Sequence, residues 1–220
     1  MQKIKTIIWD WNGTLLNDVD VNINIVNKML ADFDIPTISK DRYRSIFSFP
    51  IYAFYKELGF EIDDNPSLYE ALIEKYNKMY CDQLLSGSLF PNVENMLQYL
   101  HKFNVQNIIL SGQNQKDLGV QVDYFGIRKH FHLVKGSKQK DASDKKQQLS
   151  NILQCQNLSA KDILIIGDTI FDWELAATYG SPCVLLTHGH QDEKTLSQTP
   201  AKIFPGFSQI FFDYLLSKLY

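Results

Sequence analysis

The chain has 220 residues, of which 45% are hydrophobic and 13% aromatic, and its formal net charge is −3. This composition is sufficient for a sizeable apolar core, and the acidic balance excludes the strongly basic surface that nucleic-acid binding requires. Three widely spaced cysteines without a CxxC pair favour reduced thiols in a cytoplasmic protein. Neither a signal peptide nor a membrane-spanning apolar run is predicted.

The first predicted element is a buried strand that ends in an acid. The run Ile7–Trp9 consists of β-favouring residues, and Asp10 follows it. A carboxylate is costly to bury inside a strand, so we expect Asp10 at the carboxyl end, where open α/β sheets bind ligands. Gly13 allows a sharp turn with backbone N–H groups close to an anion, and Thr14 adds a hydroxyl. Taken alone, the pattern is more typical of a strand followed by an Asx turn.

Residues 17–87 are predicted to be helical and to contain no strand. Asp18 is positioned to cap the first helix, whose apolar residues share one face. Breaks are expected at Ile35-Pro36-Thr37 and at Phe49-Pro50, and a longer helix follows Pro66. An all-helical block directly after a strand and turn is a candidate separate lobe. A helical subdomain that serves only packing is the alternative that composition leaves open.

From Leu89 onward the pattern alternates between helices and strands. The predicted strands are Val105–Leu110, Phe131–Val134, Ile163–Ile166, Cys183–Leu186 and Ile203–Phe204. A polar stretch from Gly136 to Gln148 is predicted to be an exposed loop, which leads into a helix from about Lys145. The alternation predicts an α/β fold, a Rossmann-like three-layer arrangement in which helices cover both faces of a parallel sheet.

Acidic and hydroxyl side chains follow several of these strands. Asp10, Ser111 and Asp168 each come at a strand end, and Asp172 follows four positions after Asp168. Because the carboxyl ends of parallel strands lie at one edge, these side chains should converge. Converging carboxylates repel one another unless a hard dication such as Mg²⁺ lies between them. A hydroxyl, two backbone amides and a lysine could then hold a phosphate, as in metal-assisted phosphoryl transfer.

Together these residues resemble the haloacid dehalogenase-like hydrolases, and among them the phosphoglycolate-phosphatase-like branch with a helical cap. The matching motifs are Asp10-Trp11-Asn12-Gly13-Thr14-Leu15, Ile108-Ile109-Leu110-Ser111-Gly112, Lys145, and Ile165-Ile166-Gly167-Asp168-Thr169 with Asp172. The resemblance implies a core domain of residues 1–16 and 88–220 and a cap domain of residues 17–87. It also implies that Ser48-Phe49-Pro50 is the loop that selects the substrate.

The resemblance further implies a role for each matched residue. Asp10 would attack phosphorus and carry an aspartyl-phosphate, and Lys145 would neutralise the charge on Asp10 and on the phosphoryl group. Mg²⁺ would be bound by the carboxylates of Asp10 and Asp168, by the backbone carbonyl of Asn12, and by Asp172 directly or through water. The residues expected to bind substrate are Gly13, Thr14, Phe49, Ser111, Gly112 and Lys145. The expected partner is a small phosphorylated metabolite similar to phosphoglycolate, with no nucleic acid and no membrane.

Simpler interpretations stay open at several of these positions. Asp168 and Asp172 could instead cap the helix that follows them. The cleft lysine could be the next residue, Lys146, and Lys145 could be a solvated lysine in a basic stretch. The stretch His188-Gly189-His190 is interpreted as a surface turn, because two histidines without a third ligand rarely bind a metal.

Asn12 departs from the family's phosphatases, which carry Asp at this position. In those enzymes the second Asp protonates the leaving oxygen and later activates water, and an amide can do neither. Two other functions therefore stay open: a binding or regulatory protein with little turnover, and a phosphoryl transfer of the mutase type. The residue is also not Tyr, which disfavours dehalogenation. On this reasoning Asn12→Asp should raise turnover.

Overall fold

The computed structural model describes residues 3–139 and 143–219. The strands are β1 (Thr6–Trp9), β2 (Leu16–Asn17), β3 (Ser88–Leu89), β4 (Gln106–Asn114), β5 (Leu133–Ser137), β6 (Ile163–Gly167), β7 (Cys183–Leu186) and β8 (Lys202–Phe204). The α-helices are α1 (Val19–Ala31), α2 (Lys40–Ile46), α3 (Ile51–Glu57), α4 (Pro66–Asp82), α5 (Val93–Leu100), α6 (Gln115–Tyr124), α7 (Lys145–Cys155), α8 (Ile170–Tyr179), α9 (Glu193–Leu196) and α10 (Gln209–Leu219).

Six of the strands form one parallel sheet in the order β5-β4-β1-β6-β7-β8. The central strand is β1, in which Ile8 pairs with Ile108 of β4 and with Ile165 of β6. The sheet therefore brings the carboxyl ends of β1 and β6 side by side, next to Ile109 of β4, which continues to Asn114. The prediction that these strand ends meet at one edge depends on this order.

Helices cover both faces of the sheet. Side chains alternate along a strand, so Ile7 and Trp9 pack with α5, α6 and α10, whereas Ile8 packs with α7 and α8 on the opposite face. Because helices cover both faces, β1 and β6 are buried at every position instead of alternating between buried and exposed residues. The predicted three-layer α/β fold is confirmed.

A short antiparallel ribbon connects the sheet to the helical region. Strand β2 pairs with β3 through Leu16 with Leu89 and Asn17 with Ser88. The prediction of no strand in residues 17–87 is therefore wrong at Asn17, because a two-residue strand is too short to show a period. Beyond the ribbon, helices α1–α4 bury an apolar cluster of their own. We propose that residues 17–87 are a cap lobe and that residues 1–16 and 88–220 are the α/β lobe.

Several predicted boundaries differ from the structure. Strand β4 continues past Leu110 to Asn114, and its register with β5 shifts over this segment. Strand β5 begins later than predicted and includes Gly136 and Ser137, so the polar loop is shorter than expected. Pairing with a neighbouring strand extends both elements into polar sequence that lacks an apolar pattern. The short helix α9 was not predicted.

The described part of the chain contains no helix that combines the length and apolar character needed to cross a bilayer. The three cysteines, Cys81, Cys155 and Cys183, are free thiols.

Ile8 tests how strongly the central strand supports the fold, since it is 1% exposed. Ile8→Ala should lower the free energy of unfolding by about 2–5 kcal/mol, because truncation leaves a cavity between β1 and its flanking helices. Ile210→Ala is the matched control on α10, where the side chain is 70% exposed, and it should change stability by no more than about 0.5 kcal/mol. Urea unfolding of both variants measures the difference, and equal losses would contradict this description of the core.

Candidate active site

Three carboxylates meet at the carboxyl edge of the sheet. Asp10 follows β1, Asp168 follows β6, and Asp172 lies in the first turn of α8. One oxygen from each carboxylate lies within 4.8 Å of the other two. Converging carboxylate oxygens are the donors that hard dications prefer, so the residues present fit Mg²⁺. The predicted convergence of these three acids is observed.

Lys145 is the first residue of α7 and joins two of these acids. Its ammonium group donates to Asp10 Oδ1 and to Asp172 Oδ1, at 2.7 Å in each case. Lys145 is buried, whereas Lys146 is exposed, so Lys145 is the lysine in the cleft. Burial opposes the charge on Lys145, but the neighbouring carboxylates of Asp10 and Asp172 raise its pKa and it stays cationic. Lys140, which belongs to the same basic stretch of sequence, lies outside the described residues.

The site carries more negative charge than Lys145 can neutralise. Burial raises the pKa of Asp10; the charge of Lys145 opposes this rise and those of Asp172 and Asp168 add to it. Burial likewise raises the pKa of Asp168, with His190 opposing and Asp172 adding to the effect. A bound dication would lower both pKa values and relieve the repulsion among the carboxylates.

Asp168 is oriented by two donors from other parts of the α/β lobe. Its Oδ1 accepts from the Thr14 hydroxyl at 2.7 Å, and its Oδ2 accepts from the His190 backbone N–H at 2.7 Å. Thr14 is completely buried, so in this structure its hydroxyl orients an acid. Its contact with a phosphate oxygen stays a prediction. The helix-capping alternative fails for Asp168, because the N-cap residue of α8 is Thr169.

Asp172 takes the helix-capping role considered for it, and its predicted role in binding the metal stays a prediction. Its Oδ2 accepts from the backbone N–H of Thr169 at 3.1 Å and from the Thr169 hydroxyl at 2.7 Å. These hydrogen bonds cap the N-terminus of α8. Its other oxygen accepts from Lys145. Helix capping therefore fixes the carboxylate that faces the cluster.

Gly13 is required for a reason that differs from the expected one. Its φ is +71°, and a Cβ atom there would overlap the Asp168 carboxylate and the His190 ring. Its N–H donates to Leu16 O at 2.8 Å and to Asp18 Oδ1 at 3.0 Å. The amide expected to hold a phosphate is thus engaged within the protein, and the glycine allows two buried groups to approach the turn.

The side chain of Asn12 is fixed by a buried acid. Its Nδ2 donates to Asp18 Oδ2 at 2.8 Å and to the Tyr80 hydroxyl oxygen at 2.7 Å. Asp18 occupies the N-cap position of α1, but its side chain makes no capping hydrogen bond, so the predicted capping role is wrong. Burial opposes ionisation of Asp18, yet contacts with His190, Asn12 and Tyr80 hold its pKa below the usual range. Contacts with residues from other segments therefore take the place of the predicted capping hydrogen bond to α1.

The stretch His188-Gly189-His190 lies inside the molecule, so its interpretation as a surface turn is wrong. The His190 ring Nδ1 is 3.0 Å from the Tyr43 hydroxyl, and Nε2 is 3.3 Å from Asp18 Oδ1. Burial opposes protonation of His190, but Asp18 raises its pKa above 6.5. His188 stacks on Phe90, with ring centroids 3.7 Å apart. No local pattern signals these roles, since the partners come from distant segments.

Of the three clustered acids, Asp10 lines a cavity of about 480 Å³ between the helical region and the sheet. Its floor includes Asp10, Asn12, Ser111, Gly112 and Lys145. The predicted catalytic residues and part of the predicted phosphate-binding set therefore share one space. Ser111 is held in place there, where its oxygen accepts from the Gln113 backbone N–H at 3.0 Å.

Aromatic residues in and next to the predicted substrate-selecting loop, Ser48-Phe49-Pro50, form the opposite wall. Phe47 packs against Phe54 and His190, at centroid distances of 5.2 and 4.9 Å. Phe49 lies across the gap from Phe171 of α8, with centroids 5.0 Å apart. Both rings line the cavity, where Phe47 packs on Phe54 and on His190 and Phe49 contacts Phe171.

A parallel sheet with converging acids at its carboxyl edge and a helical region inserted after the first strand defines the class of this protein. Residues 7–186 match the family model described as haloacid dehalogenase-like hydrolase. The chain belongs to the haloacid dehalogenase-like hydrolases, and the resemblance found in the sequence is confirmed.

Individual relatives agree with this membership. The chain is 22% identical over 215 residues to a phosphoglycolate phosphatase from Synechococcus elongatus, covering 94% of this chain and 99% of the relative. It is 26% identical over 221 residues to a phosphoglycolate phosphatase from Pasteurella multocida, covering 96% and 98%. A solved haloacid dehalogenase-like hydrolase from Streptococcus pneumoniae shares the fold with a TM-score of 0.81 at 20% identity, covering 97% of this chain and 98% of that one.

The contact between Asn12 and Asp18 changes what an acid at position 12 should do. Asn12→Asp would remove a donor and place a second carboxylate against Asp18, so it should lower the free energy of unfolding by about 1–3 kcal/mol at neutral pH. Repulsion raises the pKa of the new carboxyl above its unfolded value of about 3.9, so the loss should grow as pH rises from about 4 to neutral. Any gain in turnover from an acid at position 12 would therefore be accompanied by this loss of stability.

The control is Asn12→Ala, which removes the same hydrogen bonds and adds no charge. Its loss of stability relative to the unmodified protein should stay constant over that pH range. Urea unfolding of both variants at several pH values measures the two trends. If the two losses changed with pH in the same way, repulsion by the Asp18 carboxylate would not be the reason that an amide suits position 12.

Proposed function

We propose that the protein is a Mg²⁺-dependent phosphatase of a small phosphomonoester, with Asp10 as the nucleophile. The observation that carries the proposal is the position of Asp10 at the carboxyl end of the central strand, beside Lys145 and two further acids. The names of the phosphoglycolate phosphatases similar to this chain support the reaction class. Its free thiols suit the reducing environment of the cytoplasm.

Each residue of the site has a separate role in the first chemical step. Oδ1 of Asp10 accepts from Lys145, and no hydrogen bond to Oδ2 is formed by the described residues, which leaves that oxygen available to attack phosphorus. Attack forms the bond between Asp10 Oδ2 and phosphorus and breaks the bond from phosphorus to the leaving oxygen, which takes its proton from water. Lys145 stabilises the charge on the phosphoryl oxygens, and Ser111 and Gly112 offer a hydroxyl and an N–H from the cavity wall.

Mg²⁺ fits the acidic edge of this site. Asp10 and Asp168 would bind it through carboxylate oxygens, Asn12 through its backbone carbonyl, and Asp172 directly or through water. When bound, the ion supplies positive charge that draws the phosphate dianion into an acidic site and neutralises it during transfer. Water then attacks phosphorus in the aspartyl-phosphate, releasing phosphate and regenerating Asp10.

A phosphate-binding protein with little turnover is a second candidate, and the environment of Asn12 favours it. Both proton transfers of the reaction gain roughly 10²–10⁴-fold from a positioned acid or base. The Asn12 amide is held by Asp18 and Tyr80, and it acts as neither an acid nor a base at ordinary pH. A good leaving group such as p-nitrophenolate needs no acid, so the first step should be fast with it and the second slow.

Hydrolysis of p-nitrophenyl phosphate and of alkyl phosphates tests the proposal directly. Activity should require Mg²⁺ and disappear with a chelator, and Asp10→Asn should lower kcat by a factor on the order of 10³ or more. Asp213→Asn is the matched control, an exposed acid on α10, and it should keep full activity. Thermal unfolding checks that both variants fold. Retention of most activity by Asp10→Asn would refute Asp10 as the nucleophile. Binding of phosphate without hydrolysis would favour the second candidate.

A further inference from the structure

Helix α2 of the helical region lies against the connection between β7 and α9, residues 187–192. The guanidinium of Arg44, on α2, donates to three backbone carbonyls of this connection. They are the carbonyls of Gly189 at 2.9 Å, of Gln191 at 3.0 Å and of Thr187. One side chain of the helical region therefore holds the connection at three points.

The same connection contacts Asp168, one of the three clustered acids. The His190 backbone N–H donates to Asp168 Oδ2 at 2.7 Å. Gly189 packs against this carboxylate so closely that a Cβ atom would overlap it. The connection therefore contacts both Arg44 and a carboxylate of the acidic cluster.

A single peptide group joins these two contacts. The Gly189 carbonyl and the His190 N–H belong to the same peptide unit, which is planar, so orienting one of them orients the other. Arg44 donates to the carbonyl, and the N–H donates to Asp168. A cation at the carbonyl and a carboxylate at the N–H polarise the peptide in the same direction, which strengthens both hydrogen bonds. The orientation of Asp168 thus depends on a side chain of α2.

Gln191 forms a second link between the helical region and the acids. Its buried side chain donates through Nε2 to the Phe47 carbonyl at 2.7 Å and accepts through Oε1 from the Ile170 N–H at 2.6 Å. Ile170 is the first residue of α8, and Asp172 lies in the first turn of that helix. The segment that follows α2 is therefore tied to the end of the helix that carries the third acid.

The positions of these carboxylates matter for binding a cation. Mg²⁺ demands near-octahedral geometry and short bonds to oxygen, so a carboxylate that rotates away from Asp10 loses affinity for the ion. Removing a group that orients a metal ligand typically weakens metal binding by about 10–100-fold. Arg44 is not among the described residues that line the cavity. Its effect on the ion would therefore act through Asp168.

We propose that Arg44 and Gln191 are positioning residues for Asp168 and Asp172, and that they couple the docking of α2 to the binding of Mg²⁺. When α2 lies on residues 187–192, the Gly189–His190 peptide holds Asp168 in the orientation that binds the ion. By linkage, the bound ion stabilises the docked position of α2 to the same extent. The inference rests on the proposed function for the presence of Mg²⁺ at the acids.

Calorimetric titration of the full chain with Mg²⁺ tests the role of Arg44. Arg44→Met should weaken Mg²⁺ binding by about tenfold, because the peptide that orients Asp168 loses its cation. Arg44→Lys keeps a charge but cannot serve three carbonyls, so its loss should be smaller. Arg42→Met is the matched control, since Arg42 lies on the same helix and pairs with Glu57 at 2.6 Å, and it should bind Mg²⁺ as the unmodified protein does.

The Mg²⁺ affinity separates positioning from a merely structural role. Urea unfolding without Mg²⁺ should show a loss of stability for Arg44→Met in either case, because three carbonyls lose a donor. Lower stability with an unchanged Kd for Mg²⁺ would overturn the inference.

A second pair of variants decides the matter if Arg44→Met does not fold. Gln191→Met should weaken Mg²⁺ binding severalfold, because the link between the Phe47 carbonyl and the start of α8 is lost. Gln198→Met, at an exposed amide beyond α9, should not change the affinity. Equal affinities within this pair would overturn the inference.

Hydrogen exchange followed by mass spectrometry tests the coupling without any substrate. The Asp192 N–H donates to the Arg44 carbonyl at 3.3 Å, so in the unmodified protein Mg²⁺ should slow exchange both at residues 187–192 and in α2. In Arg44→Met the slowing in α2 should be lost. Equal slowing of α2 in the two proteins would overturn the inference.

The proposed phosphatase function can fail separately from this coupling. If the unmodified protein binds Mg²⁺ with the expected dependence on Arg44 but hydrolyses no phosphomonoester, the proposed function fails and the coupling is supported. Absence of Mg²⁺ binding by the unmodified protein would overturn the coupling together with the proposed metal site.

Discussion

The placement of Lys145 between Asp10 and Asp172 is the interaction on which the rest of the site depends. Three carboxylates at a buried sheet edge repel one another, and breaking a buried ion pair by removing one partner typically costs about 3–5 kcal/mol. Hydrogen-bond donors held in place by the fold offset part of this repulsion. The Thr14 hydroxyl and the His190 backbone N–H donate to Asp168, and the Thr169 backbone N–H donates to Asp172. The remaining excess of negative charge is what makes the edge suitable for a dication.

A second buried acid links this edge to the helical region. Asp18 lies where the chain leaves the ribbon for α1, and it accepts from Asn12, from the Gly13 N–H and from Tyr80 of α4. His190 connects the same acid to Tyr43 of α2. The position of the helices over the site and the orientation of Asn12 are therefore set by one hydrogen-bond network. The amide at position 12 suits this network, because it supplies donors to an acid that is already ionised.

The sequence allowed the parallel sheet and the convergence of Asp10, Asp168 and Asp172 to be predicted, because strand ends with polar residues share one edge in any open α/β sheet. Lys145 was expected from the family resemblance, which places a lysine at the head of the helix after the polar loop, and its burial distinguishes it from Lys146. Asp18 and His190 could not be assigned correctly, since an N-cap position and a Gly-flanked histidine have ordinary local interpretations. Their actual partners come from segments far away in sequence, and the burial that makes those contacts strong exists only in the folded chain.

The turn after β1 is a second case in which the sequence predicted the kind of residue needed but not its contacts. Glycine at position 13 was expected to bring N–H groups to an anion, and its N–H instead bonds to Leu16 and Asp18. The residue type was predictable from the turn, but its reason was not, because the close approach of Asp168 and the His190 ring depends on the packing of β6 and of the segment after β7.

The most direct test of the central claim is to identify the atom that carries the phosphoryl group during turnover. A single turnover of p-nitrophenyl phosphate in Mg²⁺, quenched with acid and reduced with borohydride, converts an aspartyl-phosphate into homoserine at the labelled position. Mass spectrometry of the peptides should find this conversion at Asp10, with p-nitrophenol released in the same amount. Release of p-nitrophenol with Asp10 unmodified, or phosphate found on Ser111, would contradict the account.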